Sequence, residues 1–205
     1  MSGIKRVAVY CASSTQLHEQ YYKDARRVGQ LLARSGVALL NGAGNMGLMQ
    51  AAADGCLEAG GEAIGYIPQF MIEQDWHHRG MTRLIITKDM SERKNRLAED
   101  SDAAIVLAGG CGTLDELFEL ITNKQLGLYR KPIIILNTLG YYDLLLQHLK
   151  HSAEEHFMRE VHLGLWRVAE TPEEAVELAF STPLWDADAR SQAKIYHAAG
   201  PTVSR

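Results

Sequence analysis

The stretch 103–121 constrains the fold most, because a buried-strand pattern, a glycine-rich turn and a helical pattern follow one another directly. Residues 103–107 read AAIVL, which is typical of a buried strand. The next residues, AGGCGTLDE, contain three glycines and lead into the amphipathic run LFELI. Glycines allow a ligand to approach the backbone closely, and the free N–H groups at a helix N-terminus favour an anion. The sequence therefore predicts a phosphate-binding segment here, called the 109–112 turn below.

The rest of the chain repeats this alternation of short apolar runs and helical patterns. The predicted strands are 7–10, 37–40, 62–67, 84–87, 103–107 and 133–136. The predicted helices are 19–35, 47–60, 90–101, one after the 109–112 turn, 141–157 and one that starts at 171. This order predicts an α/β fold with a Rossmann-like open, mostly parallel sheet and helices on both faces. We expect one nucleotide-binding domain over residues 1–181, a mobile loop beside the site at 69–80, and a C-terminal tail over 182–205.

Composition narrows the classes of partner. The 205 residues carry a formal charge of -4, so no basic field predicts nucleic-acid binding, and no apolar run approaches the length of a membrane span. The three cysteines are too few and too scattered for a disulfide framework or a zinc site. We expect a cytoplasmic protein that needs no metal and no cofactor.

A second glycine-rich segment, the 42–47 turn, reads GAGNMG and also follows a predicted strand. It fits G-x-G-x-x-G, the dinucleotide-binding pattern, but that fingerprint usually follows the first strand, whereas this one follows the second. Its position makes binding of NAD a minor alternative. The chain also lacks the Lys-Ser/Thr ending of a P-loop, which argues against hydrolysis of a nucleoside triphosphate.

Two linked motifs carry a family resemblance. Residues 108–116 match P-G-G-x-G-T-x-x-E except that Ala108 replaces the proline, and residues 90–94 match M-x-x-R-K. On these motifs, and on further matches over most of residues 7–150, the chain resembles the LOG family of cytokinin riboside 5′-monophosphate phosphoribohydrolases. Members of this family are often mislabelled as lysine decarboxylases.

The resemblance implies an enzyme that hydrolyses the N-glycosidic bond of a nucleoside 5′-monophosphate to a free base and ribose 5-phosphate. It makes Arg93 and Glu116 the expected catalytic pair, and it implies a homodimer or a larger homo-oligomer. Where many members carry tryptophan, this chain has Asn123, so AMP is a more secure substrate than an N6-modified cytokinin nucleotide. The residues expected to bind the phosphate or the rest of the nucleotide are Ser13, Ser14, Gly42, Gly44, Met90, Lys94, Gly109, Gly110, Gly112 and Thr113.

The residue chemistry agrees with that activity. Cleavage of an N-glycosidic bond builds positive charge on the sugar, and a carboxylate at Glu116 stabilises that charge and orients or activates water. The guanidinium of Arg93 suits a phosphate or the Glu116 carboxylate, but it hardly ever releases a proton. The group that protonates the departing base is therefore not assigned.

Three other interpretations remain open or are rejected. Thr113 and Glu116 also fit a capping box, in which both side chains satisfy the first N–H groups of a helix, as Thr171 and Glu174 do in the same pattern. A nucleotide-binding or carrier module without turnover would need the glycines but not the arginine–glutamate pair. Lysine decarboxylation is rejected, because that chemistry normally needs pyridoxal phosphate and no lysine here is marked for it.

Overall fold

The computed structural model describes residues 3–186, which build one sheet of seven strands between two layers of helices. The strands are β1 (Arg6–Tyr10), β2 (Ala38–Asn41), β3 (Ala63–Pro68), β4 (Arg83–Thr87), β5 (Ala103–Val106), β6 (Ile133–Leu136) and β7 (Arg167–Ala169). The helices are α1 (Glu19–Arg34), α2 (Gly47–Glu58), α3 (Gln69–Glu73), α4 (Met90–Asp100), α5 (Cys111–Gln125), α6 (Asp143–Glu154) and α7 (Pro172–Ser181). Two short 3-10 helices lie at Thr138–Gly140 and Glu160–Gly164.

The strand order is β4-β3-β2-β1-β5-β6-β7, and every pair of neighbours is parallel. The predicted fold class is confirmed, and the sheet is parallel throughout the described part of the chain. Successive strands move outward from β1 to β4, and the chain then returns to the other side of β1 at β5. Ligands of such sheets bind where the order reverses, beyond the carboxyl ends of the strands. The reversal between β1 and β5 therefore marks the expected site.

Each face of the sheet has its own apolar core. On one face, α1, α2 and α7 pack against side chains such as Val7, Leu39 and Ile105. On the other face, α4, α5 and α6 pack against side chains such as Leu40 and Ile135. Strands covered on both sides read as continuous apolar runs, which is why β5 and β6 were predictable from the sequence.

Three parts of the chain differ from the prediction or lie beyond it. The segment 69–80 is not an irregular loop throughout, because it begins with α3. The edge strand β7 was missed, since three residues that start with Arg167 are too short and too polar to give a strand pattern. Of the predicted tail, residues 182–186 are described and 187–205 lie outside the described residues.

Residues 182–186 already pack against the domain. The Trp185 N–H donates to the Arg130 carbonyl at 2.7 Å, and the Arg130 Nε donates to the Trp185 carbonyl at 2.8 Å. Within residues 3–186, the longest apolar stretches fall short of what a membrane-crossing helix requires.

Candidate active site

The two glycine-rich turns lie at the carboxyl ends of β2 and β5, the strands on either side of β1, but they offer different helix N-termini. At α2, the Ala12 carbonyl accepts hydrogen bonds from the N–H groups of Leu48 and Met49 at 2.9 and 3.3 Å. At α5, the N-cap residue is Gly110, and no side chain caps the helix. A backbone carbonyl therefore occupies the anion-binding position of α2, whereas the anion-binding position of α5 faces the cavity described below.

A cavity of about 160 Å³ lies between β1, α4 and the start of α5. Its polar lining consists of Tyr10, Ser13, Arg93, Gly112, Thr113 and Glu116, and its other lining residues are Val9, Cys11, Gly42, Met49 and Met71. The lining therefore combines charged side chains and helix N–H groups with an apolar part that includes Met49 and Met71. Such a cavity suits a ligand with one anionic end and one flat apolar end.

Arg93 lies at the base of this cavity and is almost completely buried. Its Nε donates to the Tyr66 carbonyl at 3.1 Å, and its Nη1 lies 3.4 Å from Oε1 of Glu116. A Cβ atom at residue 42 would come within 1.8 Å of Nη2 of Arg93, so Gly42 is required for the guanidinium to fit. The structure thus assigns Gly42 a packing role beneath the arginine.

Glu116 is the second buried charge of the site. Its side chain is 10% exposed, and burial raises its pKa from the ordinary value of 4.5 to about 7, with nearby Arg93 opposing the shift. The contact between the two groups is longer than a charge-assisted hydrogen bond, so they do not neutralise each other in a tight pair. A carboxyl group with this pKa exchanges protons near neutral pH, which is the property expected of a general base.

The capping-box interpretation of residues 113–116 is wrong. Helix α5 begins at Cys111, so Thr113 is its third residue and Glu116 lies in the second turn. The pattern at residues 171–174 does cap a helix, because the Thr171 hydroxyl accepts from the Glu174 N–H at 3.2 Å. Glu116 is thus free of a capping role and faces the cavity, one helical turn beyond Gly112.

The remaining predicted residues divide into those at the cavity and those away from it. Ser13, Gly42, Gly112 and Thr113 line it, and Gly110 caps α5 beside open space. The backbone of Gly109 packs against the Thr113 side chain. A Cβ atom at residue 109 would come within 2.1 Å of Oγ1 of Thr113.

The others are engaged elsewhere. Lys94 does not line the cavity, because its Nζ contacts Asp115 at 2.9 Å and Glu119 at 3.1 Å. The Sδ of Met90 contacts Nη1 of Arg93 from outside the cavity, at 3.8 Å. Gly44 pairs with His77 and makes room for Met49, and Ser14 accepts from the hydroxyl of Tyr22 through its carbonyl.

Met71 is a lining residue that the sequence did not indicate. It belongs to α3, and the segment after α3 is hydrogen-bonded to the 42–47 turn: Asn45 N–H to the Trp76 carbonyl at 3.0 Å and His78 N–H to the Ala43 carbonyl at 2.7 Å. Because the residues around Met71 show no helical or strand period, no sequence signal places its side chain at the site.

Comparisons with known proteins show which family this chain resembles. A family model described as "Possible lysine decarboxylase" matches residues 49–179. A cytokinin riboside 5′-monophosphate phosphoribohydrolase of Rhodococcoides fascians is 39% identical over 155 residues, which cover 75% of this chain and 78% of that protein. A protein of the same name from Arabidopsis thaliana is 35% identical over 176 residues, covering 86% of this chain and 77% of its own.

Solved structures with the same fold include proteins with a different role. The molybdenum cofactor binding protein of Rippkaea orientalis aligns with a TM-score of 0.66 and 28% identity, over 85% of this chain and 94% of that one. The molybdenum cofactor carrier protein of Chlamydomonas reinhardtii aligns with a TM-score of 0.67 at 24% identity, with the same coverage.

Proposed function

The chain belongs to the LOG family of cytokinin riboside 5′-monophosphate phosphoribohydrolases, and we propose that it hydrolyses the N-glycosidic bond of AMP or of an N6-modified adenosine monophosphate. The observation that carries the proposal is the buried Glu116 carboxyl group, 3.4 Å from Arg93 and one turn beyond the open N-terminus of α5. The products are the free base and ribose 5-phosphate.

The arrangement supports a specific placement of the nucleotide. The 5′-phosphate accepts hydrogen bonds from the N–H groups of Gly110, Gly112 and Thr113 and from the Thr113 hydroxyl. One helical turn advances about 5.4 Å, which brings the anomeric carbon of the ribose to the level of Glu116. The base then extends toward the apolar part of the lining, where Met49 and Met71 lie.

In this placement the two charged groups have different tasks. Glu116 as the anion stabilises the positive charge that develops on the sugar, and it accepts a proton from the water that attacks the anomeric carbon. As the glycosidic bond breaks, its electron pair passes to the nitrogen of the departing base. Arg93 holds the carboxylate and the phosphate side of the sugar and does not act as the acid, because guanidinium keeps its proton.

Incubation of the protein with AMP and with an N6-prenylated AMP tests the proposal, with free base and ribose 5-phosphate as the measured products. We expect stoichiometric release of both products. The variant Glu116→Gln should lose this activity. Its matched control is Glu119→Gln, which removes a carboxylate from the same helix outside the cavity and should leave turnover unchanged. Failure to release base from either nucleotide would contradict the proposal.

A carrier function is the second candidate, because the Rippkaea orientalis neighbour has the same fold and a title that names cofactor binding. A carrier requires the 109–112 turn but gives no role to a buried carboxyl group with a pKa near 7. Tight binding of both nucleotides without release of base would favour it. By analogy with the family, we further propose that the protein is cytoplasmic and acts as a homodimer. Sedimentation analysis tests the proposed dimer.

A further inference from the structure

The carbonyl groups that lead into the 109–112 turn are all held by hydrogen bonds. Three consecutive carbonyls take part, each with its own donor: Leu107 from the hydroxyl of Tyr142 at 2.8 Å, Ala108 from the N–H of Ala12 at 3.1 Å, and Gly109 from the hydroxyl of Tyr141 at 2.8 Å. Two adjacent tyrosines from the segment after β6 thus contact alternate carbonyls of the segment after β5.

The bond from Tyr141 controls the peptide that opens the phosphate site. In a trans peptide the C=O and the following N–H point in opposite directions. When Tyr141 fixes the Gly109 carbonyl on one side, the N–H of Gly110 is fixed on the other. Glycine lies on both sides of this peptide, so the backbone itself gives little resistance to rotation. A methyl group at Gly110 would meet open space, as expected where a ligand approaches.

A tight turn after β6 places Tyr141 for this contact. Leu139 and Gly140 both have positive φ, 55° and 68°, and Leu139 adopts this conformation although it carries a side chain. Asn137 closes the turn across its two ends, because its Oδ1 accepts from the Tyr142 N–H and its Nδ2 donates to the Asp143 carboxylate, each at 2.8 Å. The backbone is thus bent in a way that brings two adjacent phenols to the segment that follows β5.

The two tyrosines differ in how much they contribute to the core. Tyr142 is fully buried, whereas Tyr141 is 45% exposed and packs edge-on against Tyr21 of α1, with ring centroids 6.0 Å apart. A half-exposed phenol does not need a protein carbonyl, because water can satisfy its hydroxyl group. The bond from Tyr141 to Gly109 is therefore better explained by its effect on the turn than by a need of the tyrosine.

We propose that Tyr141 is a positioning residue for the phosphate of the substrate: its hydroxyl group orients the 109–110 peptide so that the N–H of Gly110 faces the ligand. The proposal rests on the phosphate placement under the proposed function. In this chain Ala108 replaces the proline of the family motif, so the turn lacks the restriction of a pyrrolidine ring. The hydroxyl of Tyr141 supplies a restriction at the 109–110 peptide.

The test is Tyr141→Phe, measured by calorimetric titration with ribose 5-phosphate and by steady-state kinetics with AMP. We expect the dissociation constant of ribose 5-phosphate and the KM for AMP to rise about fivefold, in line with the loss of one hydrogen bond, while kcat changes less than twofold. The affinity for adenine, which has no phosphate, and the melting temperature should stay as in the unmodified protein.

Tyr142→Phe is the matched control, because it removes a hydroxyl bond to the same segment two residues before Gly109. This variant should lower the melting temperature and leave the ribose 5-phosphate affinity within twofold. The inference is overturned if Tyr141→Phe leaves that affinity unchanged, or if it weakens adenine equally. A protein that binds ribose 5-phosphate but does not hydrolyse AMP contradicts the proposed function alone, and the affinity comparison still decides the role of Tyr141. A protein that binds no ribose 5-phosphate contradicts both.

Discussion

Residues 113–116 and 171–174 share the pattern Thr-x-x-Glu at the start of a helix, yet the structure gives them opposite roles. In α7 the threonine caps the helix, and the Oε2 of Glu174 accepts from the N–H of Glu170 at 2.8 Å, so both side chains stabilise the helix end. In α5 the helix has already begun at Cys111, and Glu116 is buried beside Arg93 at the cavity. The register of the pattern relative to the first helical residue separates a structural glutamate from one suited to catalysis.

The energetic consequence of burial differs in the same way. Glu174 is exposed to solvent and keeps its hydration, whereas burial of Glu116 disfavours its charged form. Near neutral pH the fold therefore bears a destabilising group at the site and a stabilising cap at α7. A carboxyl group that lowers the stability of the fold is expected where the reaction, and not folding, requires the group.

The largest effect is expected for Glu116→Gln, which keeps the shape and removes the charge. Turnover of AMP should fall about 10³-fold, the range for loss of a general base, while the matched variant Glu174→Gln keeps full turnover. Product release from both variants under the same conditions measures the difference. Equal turnover in the two variants would remove the functional distinction between the two patterns.

Gly42→Ala tests whether the function of Glu116, in contrast to Glu174, depends on the position of Arg93. The added methyl group needs the space now held by Nη2 of the guanidinium, so the arginine must move away from the carboxylate. We expect kcat to fall about 10- to 100-fold, since small displacements of catalytic groups have effects of this size. Gly164→Ala, where the new methyl group would lie 3.6 Å from Trp185, is the control that should change little. Unchanged kcat in Gly42→Ala would show that the arginine position does not matter.

The pH dependence should carry the signature of Glu116. If the anion is the active form, kcat should rise about tenfold per pH unit below about 7 and level off above it. Stability should change in the opposite sense: the folded-state pKa exceeds the ordinary 4.5, so the folded state binds more protons between these values and loses stability as pH rises through about 7.

Chemical unfolding of Glu116→Gln across pH checks the second half of this prediction. At pH 8 the variant should be more stable than the unmodified protein by about 1–3 kcal/mol, and the difference should shrink toward pH 5. A stability difference that is the same at pH 5 and pH 8 would show that the carboxyl group is not perturbed by burial.

The smallest effect is expected at the cap. Thr171→Ala removes the acceptor for the Glu174 N–H and should lower the free energy of unfolding by about 1 kcal/mol without changing turnover. Thr113→Val keeps the shape of a residue inside α5, so it should spare stability and raise KM for AMP instead. A loss of stability in Thr113→Val as large as that in Thr171→Ala would restore the capping interpretation of residues 113–116.

How much of the fold and of the site could be predicted from the sequence depends on the kind of sequence signal. Doubly covered strands such as β5 and β6 are continuous apolar runs, so the α/β class and six of the seven strands were predictable. The motif around Arg93 and Glu116 also identified the two side chains that the fold brings to 3.4 Å from each other. Lys94 was expected at the nucleotide but pairs with Asp115 and Glu119, because helix geometry directs neighbouring side chains to different faces.

The sequence by itself determined the strand and helix pattern, the two glycine turns and the family, because each depends on the spacing of residues within a short stretch of the chain. Only the tertiary structure decided which helix N-terminus is open, since the Ala12 carbonyl that closes α2 comes from the segment after β1, more than thirty residues earlier in the chain. It also decided that Gly42 makes room for Arg93 and that Glu116 is buried. Those properties depend on atoms far apart in the chain, and long-range packing sets them, not the local preferences of the residues concerned.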